Sequence, residues 1–254
     1  MTSRRLEDRI AVVTGASRGL GRDIAQGLAS AGARVILCGR DMAALNATRD
    51  MLMDSSCGKT EKIDVTDEGT ILHLSDRLNQ EGWSPDILIN NAGMIDRAAL
   101  DDVDTADFER VVRTNVIASM MLARALAPGL RSSKCGRIVN VASILGLVGR
   151  SNASSYVTSK HGLIGLTRAL AAELGPSGTT VNAICPGYTR TKINTVLQED
   201  PEFDRFVTTR TALGRWGMPG DMVGPVLFLC SPAASYMTGQ VLVVDGGMTG
   251  VLSG

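Results

Sequence analysis

Aromatic side chains are scarce: three Tyr, two Trp and four Phe amount to 4% of 254 residues. That excludes the ring-rich platform on which single-stranded nucleic acids stack. An excess of either charge is missing too, because 26 Lys and Arg balance 26 Asp and Glu. Without a basic surplus there is no electrostatic case for nucleic acid or for an anionic membrane surface. Cysteine is sparse. The five (Cys38, Cys57, Cys135, Cys185, Cys230) are odd in number, scattered and without a CxxC pair. This speaks against a disulfide framework or a zinc ribbon and for a reducing compartment. Two His and no ligand cluster leave no basis for a His-built metal site. No apolar run nears the roughly 20 residues that cross a bilayer. Residues 1–8 are polar and charged, with no apolar core of a secretory signal. These absences predict a cytoplasmic protein with no metal, no membrane and no nucleic-acid partner.

Apolar residues are plentiful at 44%, enough to fill one large core, and glycine reaches 28. The length suits one α/β domain over residues 1–254. Short β-branched runs alternate with longer helical stretches. Strands are predicted at 10–13, 33–38, 61–64, 86–89, 137–141, 180–184 and 240–244. Helices are predicted at 20–31, 42–52, 67–81, 107–127, 154–174 and 220–229, with Asp41 and Asp67 as N-caps. Strands this apolar are covered on both faces, which means a parallel sheet in a doubly wound fold. Residues 187–211 fit neither period and carry mixed charge, so they are the candidate substrate lid.

A glycine-rich turn, Thr14-Gly15-Ala16-Ser17-Arg18-Gly19-Leu20-Gly21, joins the first strand to the first helix. Such a turn lets backbone N–H groups approach a pyrophosphate at the helix N-terminus. Its spacing is G-x3-G-x-G, and no Lys-Ser/Thr follows, so it is not a Walker loop. The second strand ends Cys38-Gly39-Arg40, where an NAD site would place an acid for the ribose 2′-hydroxyl. Gly39 offers none. Arg40 and Arg18 suit a 2′-phosphate, which favours NADP(H) over NAD(H).

Tyr156 and Lys160 are four apart in a predicted helix and share one face. A free Tyr has a pKa of about 10, and a neighbouring ammonium lowers it. Ser143 follows the strand 137–141, at the carboxyl edge where such sheets bind ligands. Asn115 shares an apolar stripe with Val111 and Val112, and a buried amide there must be satisfied. Taken singly, each of these residues fits a structural role as well. His161 points about 100° away from Lys160 on the helix and is left out of the chemistry.

Together these residues resemble the short-chain dehydrogenase/reductase family over almost the whole chain. The resemblance rests on TGASRGLG (14–21), Asp64-Val65, NNAG (90–93), Asn115, Ser143, YVTSK (156–160), PGYTRT (186–191) and VDGG (244–247). It implies a single Rossmann domain with a seven-stranded parallel sheet. It implies Tyr156 as general acid/base, Lys160 on the nicotinamide ribose, Ser143 on the substrate oxygen and Asn115 anchoring a water beside Lys160. The cofactor contacts it implies join those of the glycine loop (Gly15, Ser17, Arg18, Gly19, Leu20, Gly21) and Arg40. They are Asp64, Val65, Asn91, Ala92, Gly93, Tyr156, Lys160, Pro186, Gly187, Thr189 and Thr191.

The reaction implied is hydride transfer between the nicotinamide and a carbonyl or secondary alcohol of a small molecule. Residues 197–203 and 214–217 are similar to gluconate 5-dehydrogenases, and Arg150, Arg190 and Arg210 are candidates to meet a substrate carboxylate. A 3-oxoacyl-carrier-protein reductase or a broader ketone reductase remains the alternative, and a basic rim at the lid would favour the carrier-linked substrate. A non-catalytic dinucleotide-binding module would lack the Tyr or Lys, and here both are present. Relatives pair their two long helices into homotetramers, which the resemblance extends to this chain.

Overall fold

A computed structural model describes residues 6–251. The chain alternates β1 (Ile10–Thr14), α1 (Gly19–Ser30), β2 (Arg34–Gly39), α2 (Met42–Asp50), β3 (Gly58–Lys62), α3 (Glu68–Gln80) and β4 (Ile87–Asn90). Then come α4 (Thr105–Val112), α5 (Ala118–Ser132), β5 (Arg137–Val141), α6 (Ser154–Leu174) and β6 (Thr180–Pro186). The last elements are α7 (Thr195–Glu199), α8 (Pro201–Arg210), α9 (Val223–Cys230) and β7 (Val241–Val244). All seven strands pair in parallel, in the order β3-β2-β1-β4-β5-β6-β7. The order reverses between β1 and β4, and sheets of this kind open a ligand crevice at that point.

Every residue of β1, β4, β5 and β6 is buried, as expected of central strands covered on both faces. The period of two sends Ala11 and Val13 of β1 to one face and Val12 to the other. Ala11 and Val13 pack with Ile24 and Leu28 of α1 and Val226 and Leu229 of α9. Val12 packs with Leu74 and Leu78 of α3 and Leu122 and Leu126 of α5. Helix starts follow the caps: Asp41 accepts the Ala44 N–H at 3.1 Å, and Asp67 accepts those of Gly69 and Thr70.

Three expectations shift. The third strand is not 61–64 but Gly58–Lys62, because its register is set by pairing with β2, Val35 to Gly58 through Gly39 to Lys62. That edge strand buries only Glu61, which pairs with Lys59 and Arg77. The helix predicted over 107–127 is longer and interrupted, since a π-helical turn at Arg113–Ile117 separates α4 from α5. The segment 187–211 contains α7 and α8, and Asp200 caps the latter through the N–H groups of Glu202 and Phe203. Among the described residues no helix is long and apolar enough to cross a membrane, and no cluster of three or more His, Cys, Asp or Glu is placed to hold a metal ion.

Candidate active site

The glycine loop takes its shape from two left-handed residues, Gly15 (φ 65°) and Gly19 (φ 57°). Gly21 serves a different need. A Cβ there would lie 2.3 Å from the Gly15 carbonyl oxygen, so only glycine lets α1 come this close to the loop. Thr14 and Asn91 lock the arrangement. Thr14 Oγ1 accepts the Asn91 and Ala92 N–H groups at 3.0 and 2.9 Å, and Asn91 Nδ2 donates to the Thr14 carbonyl at 2.8 Å. Asn91 thus borders the cleft while its amide fastens the loop. Among the described residues no side chain caps the start of α1, which leaves its first N–H groups to an anion.

Arg18 of the loop and Arg40 just after β2 are exposed at the rim. The Asp64 carboxyl lies below its usual range, first through hydrogen bonds from the Thr66 N–H and hydroxyl and then through the Arg40 charge.

At the other end, Tyr156 and Lys160 project from one turn of α6. The Ser143 hydroxyl is hydrogen-bonded to the Tyr156 phenol, and its Oγ accepts the Leu145 N–H at 3.1 Å. Lys160 is buried; its Nζ donates to the Val141 carbonyl at 2.8 Å and lies 5.6 Å from the Tyr156 ring centroid. Asn115 occupies the π-helical turn, fully buried. Its Oδ1 accepts the Met94 N–H at 2.9 Å, and its Nδ2 donates to the Met94 carbonyl and Ser159 Oγ, both at 2.9 Å. A Cβ on Gly93 would stand 3.1 Å from Asn115 Oδ1 and 3.7 Å from Lys160 Nζ, so Gly93 separates the two.

Burial pushes the Tyr156 phenol up to about 12, against the Ser143 hydrogen bond and the Arg97 charge, which pull it down. Burial likewise pulls the Lys160 amine down to about 8. The sequence led to the opposite expectation for Tyr156. The reason is burial: desolvation of the phenol outweighs the Ser143 hydrogen bond and the Arg97 charge together. The Cys185 thiol, also desolvated, rises to about 11 and is a protonated filler at neutral pH.

One cavity of about 660 Å³ runs between these two ends. Every residue assigned above to the cofactor lines it, from Gly15, Ser17, Arg18, Gly19, Leu20, Gly21 and Arg40 through Asp64, Val65, Asn91, Ala92 and Gly93 to Pro186, Gly187, Thr189 and Thr191. Ser143, Tyr156 and Lys160 line it as well, and Asn115 lies behind it. A family model described as enoyl-(acyl carrier protein) reductase matches residues 15–249. The gluconate 5-dehydrogenase of Gluconobacter oxydans is 36% identical over 240 residues, 94% of each chain. The chain belongs to the short-chain dehydrogenase/reductase family.

Other members of that family are about as similar. A 3-oxoacyl-[acyl-carrier-protein] reductase of Vibrio harveyi is 36% identical over 96% of this chain and 98% of its own. The crystal structure of a gluconate 5-dehydrogenase from Burkholderia cenocepacia, solved with NADP and tartrate, matches with a TM-score of 0.92 at 30% identity over 99% of both chains. As a short-chain dehydrogenase/reductase, the chain is an oxidoreductase of alcohol and carbonyl groups. Its cleft fits a phosphorylated dinucleotide: a glycine cradle at a helix start, two arginines at the ribose end and no carboxylate on Gly39.

Sequence reasoning missed Arg97 and Tyr188, which line the cavity beside Tyr156. Tyr188 stands inside PGYTRT but carries no role there by pattern alone, and Arg97 belongs to no motif, so the tertiary fold is what brings both to Tyr156. Of the three arginines considered for a substrate, Arg150 lines the cavity but donates to the Tyr188 hydroxyl. Arg190 turns to Asp204 (3.4 Å) and Trp216, and neither it nor Arg210 lines the cavity.

Proposed function

We propose that the chain is an NADP(H)-dependent oxidoreductase of a keto sugar acid and its alcohol, in the manner of a gluconate 5-dehydrogenase. One observation carries this reading. The substrate end of the cavity holds Arg97, whose charge acts on the Tyr156 phenol, while the lining acids Asp41 and Asp64 both flank the ribose end. A carboxylate is the ligand that such an end favours.

When bound, the dinucleotide supplies or accepts the hydride. The protein's part is proton transfer and orientation. In reduction, Tyr156 gives its proton to the carbonyl oxygen and Ser143 donates a second hydrogen bond to the developing alkoxide. With the phenol held up at about 12, Tyr156 is proton-loaded at neutral pH, which suits the reductive direction. Lys160, anchored on the Val141 carbonyl, would hold the nicotinamide ribose, and Asn115 braces that wall through Met94 and Ser159.

A carrier-linked substrate fits less well. The lid exposes Arg190, Lys192, Arg205 and Arg210 beside Glu199, Asp200 and Glu202, a mixed surface without the basic rim that an acidic carrier calls for. The test is NADPH oxidation, followed by absorbance, against 5-ketogluconate, neutral ketones and a carrier-linked 3-oxoacyl thioester. The keto sugar acid should exceed a neutral ketone of equal length in kcat/KM by about tenfold or more, the worth of one charge-assisted hydrogen bond. Faster reduction of the carrier-linked substrate would reverse the order of the two readings. Inactivity toward all of them, with tight NADPH binding, would favour a binding module.

The same reading places the protein in the cytoplasm, where its five free thiols stay reduced. It also extends to a homotetramer paired through α4–α5 and α6. Gly162 and Gly165 are exposed on α6, and a Cβ at Gly165 would meet nothing within 4 Å, which leaves room for a neighbouring helix. Sedimentation at four times the chain mass is expected; the chain mass alone would contradict it.

A further inference from the structure

We propose that Arg150 is a positioning residue that latches the lid over the substrate end of the cavity. The lid helix α8 has ten residues and buries only Val207 fully; Asp204 ties it from below, accepting the Trp216 indole N–H at 2.8 Å and pairing with Arg190 at 3.4 Å. What meets it on the cleft side is a ring cluster gathered round one guanidinium. Arg150 lies 4.8 Å from the Phe203 ring centroid, 5.6 Å from that of Tyr188 and 5.8 Å from that of Phe206. Its Nη1 also donates to the Tyr188 hydroxyl. Tyr188 packs edge-on against Phe203 (5.3 Å), Phe206 (6.4 Å) and Trp216 (5.9 Å).

These contacts join three separate parts of the chain. Arg150 comes from the loop between Ser143 and α6, Tyr188 from the segment after β6, and Phe203 and Phe206 from the lid. In a chain with nine rings of these types, four of them meet here. Among the described residues Arg150 has no carboxylate partner within salt-bridge distance, so its charge is directed at ring faces and the Tyr188 hydroxyl. A planar guanidinium can lie on rings and donate sideways at once, which an ammonium cannot do equally well. Arg150 therefore ties the segment that carries Ser143 to the lid, and the closed pose of the lid sets how firmly substrate is held. The proposal rests on the reading of residues 187–211 as a lid over the substrate.

Trp216 provides the probe, because it is 2% exposed beneath this cluster. With Trp83→Phe as the background, Trp216 is the only indole. In that protein, Arg150→Leu should raise acrylamide quenching of Trp216 several-fold in the absence of substrate. It should also raise KM for the ketone about tenfold, a larger change than any fall in kcat, and leave NADPH affinity unaltered. Arg150→Lys should fall between the two. Phe206→Ala, which removes an already exposed ring from the lid side, should reproduce the quenching and KM changes if Arg150→Leu fails to fold.

Unchanged quenching in both variants overturns the latch. A raised KM with unchanged quenching overturns it too, because Arg150 would then bind substrate directly. Raised quenching with unchanged KM breaks the link between lid and substrate. The quenching needs no substrate, so it decides the latch even if 5-ketogluconate is not reduced. KM is then read with whichever ketone of the panel is turned over.

Discussion

Tyr156→Phe is expected to lower kcat by about 10²–10⁴-fold, the usual worth of a positioned general acid. NADPH affinity should stay within about twofold, because the ring remains and only the hydroxyl is lost. The argument is geometric. The Tyr156 phenol is hydrogen-bonded to Ser143, one helical turn from Lys160, at one end of a cavity whose other end is the glycine loop. Among the described residues no other phenol or carboxyl has this placement: Tyr188 is tied to Arg150, and the lining acids Asp41 and Asp64 flank the ribose end. Ser143 survives the change and keeps one donor on the substrate oxygen, which leaves residual activity. Steady-state rates together with a fluorescence titration of NADPH check this. A loss below tenfold would mean that the proton comes from elsewhere.

Arg18→Ala combined with Arg40→Ala should weaken NADPH binding by about 10²-fold while changing NADH binding little. A hydrogen bond to a charged group contributes about 1.5–3 kcal/mol. Both arginines are exposed at the rim, so solvent screening takes each toward or below the low end. The 2′-phosphate alone distinguishes the two cofactors, so the ratio of their dissociation constants isolates it. Adding an acid at the end of β2, as Gly39→Asp in the double variant, should shift preference further to NADH. Equal weakening of both cofactors would show that the arginines act on the shared pyrophosphate or on the fold.

Much of this is legible in the sequence itself, for reasons visible in particular residues. Fully buried strands such as Ile10–Thr14 carry an unbroken apolar signal, and Asp41 and Asp67 announce their helices by local capping chemistry. The glycine loop and the Tyr156–Lys160 pair are likewise local in sequence. What escaped is settled by distant neighbours. The register of β3 depends on β2, and its half-buried residues carry no clear period. The π-helical turn at Asn115 coincides with bonds to Met94 and Ser159, which lie on other elements. The lid rings of Phe203 and Phe206 gain meaning only beside Tyr188 and Arg150. The direction of the Tyr156 shift also hangs on tertiary burial of the phenol, which no local pattern reveals.

The most direct test of Tyr156 as the proton-transferring group is the pair of pH profiles for reduction with NADPH and oxidation with NADP⁺. Reduction needs the protonated phenol, and burial holds its pKa up to about 12, so that rate should stay flat from about pH 6 to 8 and fall only above. Oxidation needs the phenolate, so its rate should climb with pH over the same range. Both limbs should vanish in Tyr156→Phe. An oxidation rate indifferent to pH, or a reduction rate that climbs with it, would contradict the assignment.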